Sequence, residues 1–550
     1  MKSRWLLLAL ILFVPCAARA SACGTVVLPP GIGQDSPSAV TSLDWLLSGS
    51  IYNTEAYQQI YRPLVWLDRN LNYDPSLSVA SAVRTTDGGR TWLLTLKPWV
   101  WSDGVPLTAR DVVFTFDLIR RIGPGYVQYD IGGIPNLLDK VVALSPHLVE
   151  IQLTKRVNPD WFLRLGLGNT ILPLPEHVYH GLSLVALRAR QTDPSLYAVS
   201  DGPFLVKDWD VARHLVLVPN PRFGGQHPAI KRLVFDFLQG GNALQALRAG
   251  ETDAANVPFQ LWNLARSLPG FRTVPFGGPL GFMSIILNFR SHHAPFLTDV
   301  RVRQAIAVAI DQKEIIRLAF HGQAQEIHSP VPKALTGFLS PAARAGYKNL
   351  AYDPRRAGAL LDAAGWKLGP DGIRTKNGGL LAFDVAVSSG GGTRLIELQI
   401  VQRNLRAVGI AMSLRGIEFN QLLATLEGNG HDWDGIVISW TVVNYPDVQQ
   451  YFATDGAENY GHYHDARMDK LTDAVITQPG NAALYAAQDY AAEQQPFIFL
   501  PDGQQSGLVR DGLHGIGAMA SPNGTWAPEL LSLSGALACR TETAAATPAP

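Results

Sequence analysis

Cysteine is scarce. Three in 550 residues are too few for a disulfide scaffold or for a zinc site built on four thiolates. Charge is sparse as well: Asp, Glu, Lys and Arg make up 17% of the chain, with 46 cations against 46 acids. No overall positive field gathers phosphate backbones, so nucleic acid is not an expected partner. A membrane-spanning helix needs about 20 apolar residues, and the run from Trp5 to Val14 is roughly half that. Neither a Gly-x-Ser-x-Gly elbow nor a His-Glu-x-x-His helix occurs, which removes two common hydrolase centres. No fixed-period repeat appears either. What the chain does have is apolar mass, 47% hydrophobic with 13 Trp, 16 Tyr and 21 Phe. That is enough to fill large cores, and the length exceeds one core, so two or three domains are expected.

The N-terminus reads as a secretory signal. Lys2 and Arg4 precede the apolar run, and the small residues Ala17, Ala18, Ala20, Ser21 and Ala22 follow it. An exported, periplasmic or extracytoplasmic protein is expected. Removing residues 1–22 takes away Lys2, Arg4 and Arg19, which leaves a net charge near −3. Cleavage after Ala20 and cleavage after Ala22 both fit. The second makes Cys23 the new N-terminus, open to acylation as in a lipoprotein, although Ala20 stands where such signals usually carry Leu. The favoured use of Cys23 is a disulfide to Cys539, the one other cysteine of the mature chain, in an oxidising compartment.

Between leader and tail, short strand patterns alternate with helical ones, which places the chain in the α/β class. Thr91–Lys97 and Leu215–Val218 read as strands. Thr108 is an N-cap with Asp111 three residues on, ahead of Val112, Val113, Phe116 and Ile119 on one helical face. Asp299 leads into Val302, Ala305, Ile306, Ala309 and Ile310, with Arg301 and Arg303 assigned to the polar side. Asp353 and Pro354 open a helix that closes at Gly365. The Ala, Thr and Pro tail, residues 540–550, has nothing to bury and is expected to be disordered.

Several long segments stand in a recognisable order. They are Ile60-Tyr61-Arg62-Pro63-Leu64-Val65, Asp87-Gly88-Gly89, Trp101-Ser102-Asp103-Gly104-Val105-Pro106-Leu107-Thr108-Ala109-Arg110-Asp111-Val112-Val113-Phe114, Asp201-Gly202-Pro203-Phe204 with Asn220-Pro221, Asp299 to Ile306 with Asp311, and Ala363-Ala364-Gly365-Trp366 with Asp371-Gly372. With them the chain resembles the extracytoplasmic solute-binding proteins of ABC importers, in the class of dipeptide, oligopeptide and nickel binders. The resemblance implies two lobes joined by crossing hinge strands, with an additional subdomain inserted in the first. The expected boundaries are 23–55, 182–280 and 497–539 for the first lobe, 56–181 for the insert and 281–496 for the second lobe. The chain should leave the first lobe near Leu280 and return near Pro496. Both termini then share one lobe, as a Cys23–Cys539 bridge requires. Most motif residues are scaffold: Asp103 and Gly104 make a turn, and Thr108 caps a helix.

The resemblance also implies a function. The protein should capture a peptide or similar-sized solute in a cleft and hand it to ABC permease subunits, as a monomer, with no catalytic residue, cofactor or metal. In peptide-binding members an Asp shortly after a Trp holds the ligand's α-amino group. Here the segment is Ser439-Trp440-Thr441-Val442-Val443-Asn444-Tyr445-Pro446-Asp447. Counting back from Asp447 puts Asn444 at that position, and counting forward from Trp440 puts Val443 there. Neither is a carboxylate. An amide accepts a hydrogen bond from an ammonium but does not neutralise it, so the expected ligand is neutral at that end, or held through its backbone, unless Asp447 takes over. Candidate ligand-binding residues are Trp440, Asn444, Tyr445 and Asp447, with Asn288 where the chain should cross between lobes, and Trp262 and Tyr129 as further aromatic contacts.

His462 and His464, alternating as on one strand face, invite a metal reading but lack a further ligand set. Gly390-Gly391-Gly392-Thr393 lacks the Lys of a phosphate loop and reads as the turn into a helix carrying Ile396, Ile400 and Leu405. The rival functions are an exported hydrolase, a binder of the same fold for a sugar or metal chelate, and a signalling protein.

Overall fold

Strand alternation in the sequence becomes a four-stranded antiparallel sheet. The computed structural model describes residues 23–31, 39–237, 243–275, 281–389, 392–428, 430–442, 444–503, 506–520 and 525–535. In Thr91–Leu96 the side chains of Trp92, Leu94 and Leu96 are buried, and in Leu148–Leu153 those of Val149, Ile151 and Leu153. Each strand therefore gives one face to a core. The sheet runs in the order Ala80–Thr85, Thr91–Leu96, Leu148–Leu153, Leu138–Ser145. Helix Ala109–Ile122 lies against the last two strands. Its start is a reciprocal capping box in which the Thr108 N–H donates to Asp111 Oδ2 at 2.8 Å. The preceding turn needs Gly104 at φ +97°, where a Cβ would strike the Arg222 guanidinium.

Two further sheets form the first lobe. One has the order Thr25–Leu28, Arg232–Asp236, His214–Pro219, Phe204–Asp210, with Thr25–Leu28 parallel to its neighbour. The other joins Phe271–Pro275, Ser506–Arg510 and Ala254–Asn256. Asp253 ties the two together: its N–H donates to Val27 O at 2.8 Å and its carboxylate accepts from Val27 N–H at 2.9 Å. Strands from the start, middle and end of the chain thus share this lobe. Cys23 is disulfide-bonded. Cys539, the leader 1–22, Leu280 and the tail lie outside the described residues.

The second lobe is built on a five-stranded sheet ordered Ala411–Ile417, Ala382–Ser388, Gly435–Thr441, Gly281–Leu287, Phe497–Leu500. Every residue of Gly281–Leu287 is buried, as a strand covered on both faces must be. Helix Val300–Ala309, capped by Asp299, packs on Pro354–Ala363, capped by Asp353. Phe271–Pro275 and Ser506–Arg510 lie in a first-lobe sheet, and Gly281–Leu287 and Phe497–Leu500 lie in the second lobe's sheet. Gln495 in the left-handed conformation ends helix Ala482–Gln494, and the apolar Phe497–Leu500 then pairs with Met283–Ile286 in the second lobe's sheet.

Arg303 corrects another expectation. It is 3% exposed, not on a polar face. Its guanidinium donates to the carbonyls of Leu297, Thr298, Gln494 and Gln495 at 2.8–3.1 Å and lies over the Phe289 ring. His462 stands in a loop at φ +57° rather than on a strand, and the His464 ring instead pairs with the Thr454 hydroxyl at 2.8 Å. The helix Gly392–Ala407 follows the glycine run as expected; Gly390 and Gly391 lie outside the described residues.

Candidate ligand-binding seam

The inserted subdomain meets the second lobe along a seam between Asn158–Thr170 and Trp440–Tyr460. On the insert side, Asn158 caps a short helical turn, Pro159–Trp161, that passes into a π-helical turn, Phe162–Leu167. Such turns recur at functional sites because they re-aim side chains. Gly168 follows so tightly that a Cβ there would stand 2.4 Å from Leu67 and from the Arg164 carbonyl. Asn169, at φ +56°, is pinned from behind: its N–H donates to Val65 O at 2.8 Å and its Oδ1 accepts from Leu67 N–H at 2.9 Å.

Several bonds cross the seam. Asn169 Nδ2 donates to Asn444 Oδ1 at 3.2 Å, and Asn444 Nδ2 donates to Gly168 O at 2.6 Å. Trp161 Nε1 donates to Asp447 Oδ2 at 3.2 Å. The Asn158 N–H donates to Ile476 O at 2.6 Å, and its amide donates to Val475 O and Gly480 O at 3.0 and 3.2 Å. Arg164 stands over the Phe338 ring at 5.3 Å, and Phe338 meets Tyr445 edge-on at 5.5 Å.

Tyr445 is buried, and its hydroxyl has no hydrogen-bond partner among the described residues. Leaving such a group unmatched costs about 1–3 kcal/mol. Asp447 acts on it, and Glu458 acts in turn on Asp447's side of the seam. Burial pushes the Asp447 carboxyl upward against the lowering bonds from Gln449 N–H and the Trp161 indole. Burial first, and the charge of Asp447 second, push Glu458 up to about 7. The seam is a low-dielectric, acid-bearing surface with one unmatched phenol.

The sequence candidates divide. Asn444, Tyr445 and Asp447 come together here. Trp440 lies deeper, 6% exposed, stacked on Phe497 and Tyr460 and bonded through Nε1 to Ser284 Oγ at 3.2 Å, so its ring is chiefly core. Val443 lies outside the described residues. Asn288 is not at a lobe crossing. It follows the strand Gly281–Leu287 at the end away from Gly281, and its amide donates to Gly430 O and Trp433 O and accepts from Arg290 N–H. Trp262 packs in a separate small core of the first lobe with Leu247, Val257 and Leu508. Tyr129 is on the surface and donates to Asn136 Oδ1 at 2.9 Å. Asn158, Trp161, Asn169 and Glu458 were missed. Only the Asn158-Pro159 cap pattern marks any of them in the sequence, and it does not say what they face.

A sheet-bearing pair of lobes and a polar seam are the architecture of a clamp, and comparison with known proteins agrees. The family model of the bacterial extracellular solute-binding proteins, family 5, matches residues 74–461. The chain belongs to this family. Among relatives, the oligopeptide-binding protein AppA of Bacillus subtilis is 25% identical over 470 residues, covering 84% of each chain. The nickel-binding periplasmic protein of Escherichia coli is 26% identical over 379 residues, 67% of this chain and 68% of that one. The solved ABC transporter substrate-binding protein CtaP of Listeria monocytogenes superposes with a TM-score of 0.77 at 19% identity, over 93% of this chain and 99% of that one, a likeness of fold. Family 5 proteins bind solutes, and solute binding is the role of this chain. No described helix is long and apolar enough to cross a membrane.

Proposed function

We propose that this family 5 protein is the exported substrate-binding component of an ABC importer. It takes up a peptide or similar-sized solute between its lobes as a monomer and delivers it, chemically unchanged, to permease subunits. The second lobe begins at Gly281 in this reading and includes Phe497–Leu500 and Asp502–Gly503, which pair with its strands Gly281–Leu287 and Ala324–Gln325. The observation that carries the reading is the seam, where side chains from insert and second lobe converge on a buried, unmatched Tyr445 hydroxyl. A solute that bonds groups from both sides favours closure, because it binds the closed form better than the open one.

The nature of the solute follows from Asn444. Its two amide ends are engaged by Gly168 and Asn169, so it offers no charge to an ammonium. A solute neutral at that end, or a peptide held through its backbone, fits the site. Titration calorimetry with free and N-acetylated di- to pentapeptides tests this: comparable affinities are expected. A preference for the free amine above tenfold overturns the assignment, and a bound compound recovered chemically altered overturns the transport role.

A further inference from the structure

Helix Ile51–Ile60 packs on the first-lobe strand Phe204–Asp210, and the chain between them holds the insert's sheet. The two ends of that chain meet. Gly202 N–H donates to Ile60 O at 2.8 Å, and Arg62 N–H donates to Asp201 Oδ1 at 3.1 Å. A Cβ on Gly202 would stand 2.5 Å from the Gln59 carbonyl oxygen, so the joint is tight. Three ionisable groups are shut into it, and their formal charges do not cancel. Arg62, Asp201 and Glu529 are each at most 1% exposed. The guanidinium engages Glu529 through Nη2, while Arg62 Nε and Nη1, Glu529 Oε2 and Asp201 Oδ2 have no hydrogen-bond partner among the described residues. Two carboxyls thus face one guanidinium. The other titratable groups acting around Asp201 are Asp111, a third acid, and the Tyr61 phenol. A further cation, Lys97, is repelled by Arg62. An ionised Asp201 would be a buried charge without a partner of its own, which is costly.

We propose that Asp201 is a proton-operated fastener: the folded protein carries it as the neutral acid, and its ionisation in mildly alkaline surroundings loosens the joint between insert and first lobe. With the proton on, one anion balances one cation. With it off, Asp201 Oδ2 competes with Glu529 for the guanidinium or draws water into the joint, and the bonds at Ile60 and Arg62 weaken. Burial is the chief cause that pushes the carboxyl up from its ordinary 3.8 to about 8, against the lowering effects of the Arg62 N–H and the Arg62 charge. The folded state therefore holds this proton more tightly than the unfolded chain. Its stabilisation is complete below about pH 4 and is lost as pH rises from there through about 8. The fastener lies wholly within insert and first lobe, so neither the angle of the second lobe nor the identity of the solute enters.

The test compares the full mature wild type with Asp201→Asn, which keeps an acceptor for the Arg62 N–H and cannot ionise. In infrared spectra at about pH 7, the wild-type-minus-variant difference should carry the band of an un-ionised carboxyl. In denaturant unfolding, the ratio of folding constants, variant over wild type, should rise by up to about tenfold per pH unit between about pH 5 and 8 and then level off. Hydrogen exchange reads the joint itself. Protection of the Arg62 and Gly202 amides in the wild type should fall between about pH 7 and 9 while that of strand Thr91–Leu96 holds, and in Asp201→Asn it should not fall. If the variant fails to fold, the wild-type exchange decides alone. A carboxylate band at pH 7, a stability ratio that does not change with pH, or wild-type protection that stays constant over this range overturns the proposal.

Discussion

Removing the Arg62 guanidinium should be among the most destabilising single changes in the first lobe, and removing its partner as well should largely restore stability. Arg62 and Glu529 form an ion pair with both side chains at 0% exposure. Arg62 follows helix Ile51–Ile60, and Glu529 belongs to the C-terminal segment, so the pair joins distant parts of the chain. It is incompletely satisfied: Arg62 Nε and Nη1 and Glu529 Oε2 have no hydrogen-bond partner among the described residues. The guanidinium is instead sandwiched over Trp66 at 4.7 Å and Phe223 at 5.5 Å, and burial pulls its pKa down to about 9. Breaking a buried pair from one side leaves an uncompensated charge and costs about 3–5 kcal/mol, whereas an apolar replacement of both partners is often neutral or stabilising. Arg62→Met is therefore expected to lose about 3–5 kcal/mol in denaturant unfolding at unchanged m-value. Arg62→Met with Glu529→Leu should stay within about 1 kcal/mol of wild type, a coupling of several kcal/mol in the double-mutant cycle. A single-mutant cost below about 1 kcal/mol, or a double mutant equal to the sum of the singles, refutes the reasoning.

Glu458 gives a pH dependence. Its folded pKa of about 7 lies above its ordinary value of 4.5, so the native state holds the proton more tightly, and stability is lost as pH rises from about 4.5 through 7. Glu458→Gln should remove about 1–2 kcal/mol of that fall, allowing for its partial exposure, in unfolding curves at pH 5 and pH 8; an unchanged slope counts against it. Trp440→Ala is expected to cost about 3–5 kcal/mol as a core truncation. Trp440→Phe, which keeps a stacked ring and loses only the Ser284 bond, should cost about 1 kcal/mol. If calorimetry shows Trp440→Phe losing peptide affinity more than tenfold while its stability holds, the ring belongs to the binding surface rather than the core.

Local structure was readable from local pattern. The Thr108–Asp111 box, the Asp299 and Asp353 caps and the alternation in Thr91–Leu96 each depend on residues within a few positions of one another. Arg303 was misread for the opposite reason. Its helix periodicity places it among polar residues, and the carbonyls of Gln494 and Gln495, far along the chain, complete with those of Leu297 and Thr298 a buried cage for it. The site shows the same division. The Trp440-to-Asp447 segment stood out in the sequence, yet its partners Trp161 and Asn169 lie 286 and 275 positions from the residues they bond, and nothing in their own neighbourhood marks them. Asn288 follows the Leu287 end of its strand, where its amide holds the carbonyls of Gly430 and Trp433, more than 140 positions away. The boundary at Pro496 came from the family resemblance alone, and the four apolar residues after it pair with Met283–Ile286.

That pairing has a topological consequence. Met283 stands opposite Leu500 on adjacent antiparallel strands, so the two ends of the stretch from Gly281 to Leu500 lie side by side in one sheet, strands about 5 Å apart. Such a stretch is a cassette. It can be lifted out, exchanged between relatives or grafted with new specificity without rethreading the remainder, and a circular permutant opened elsewhere keeps the pivot intact.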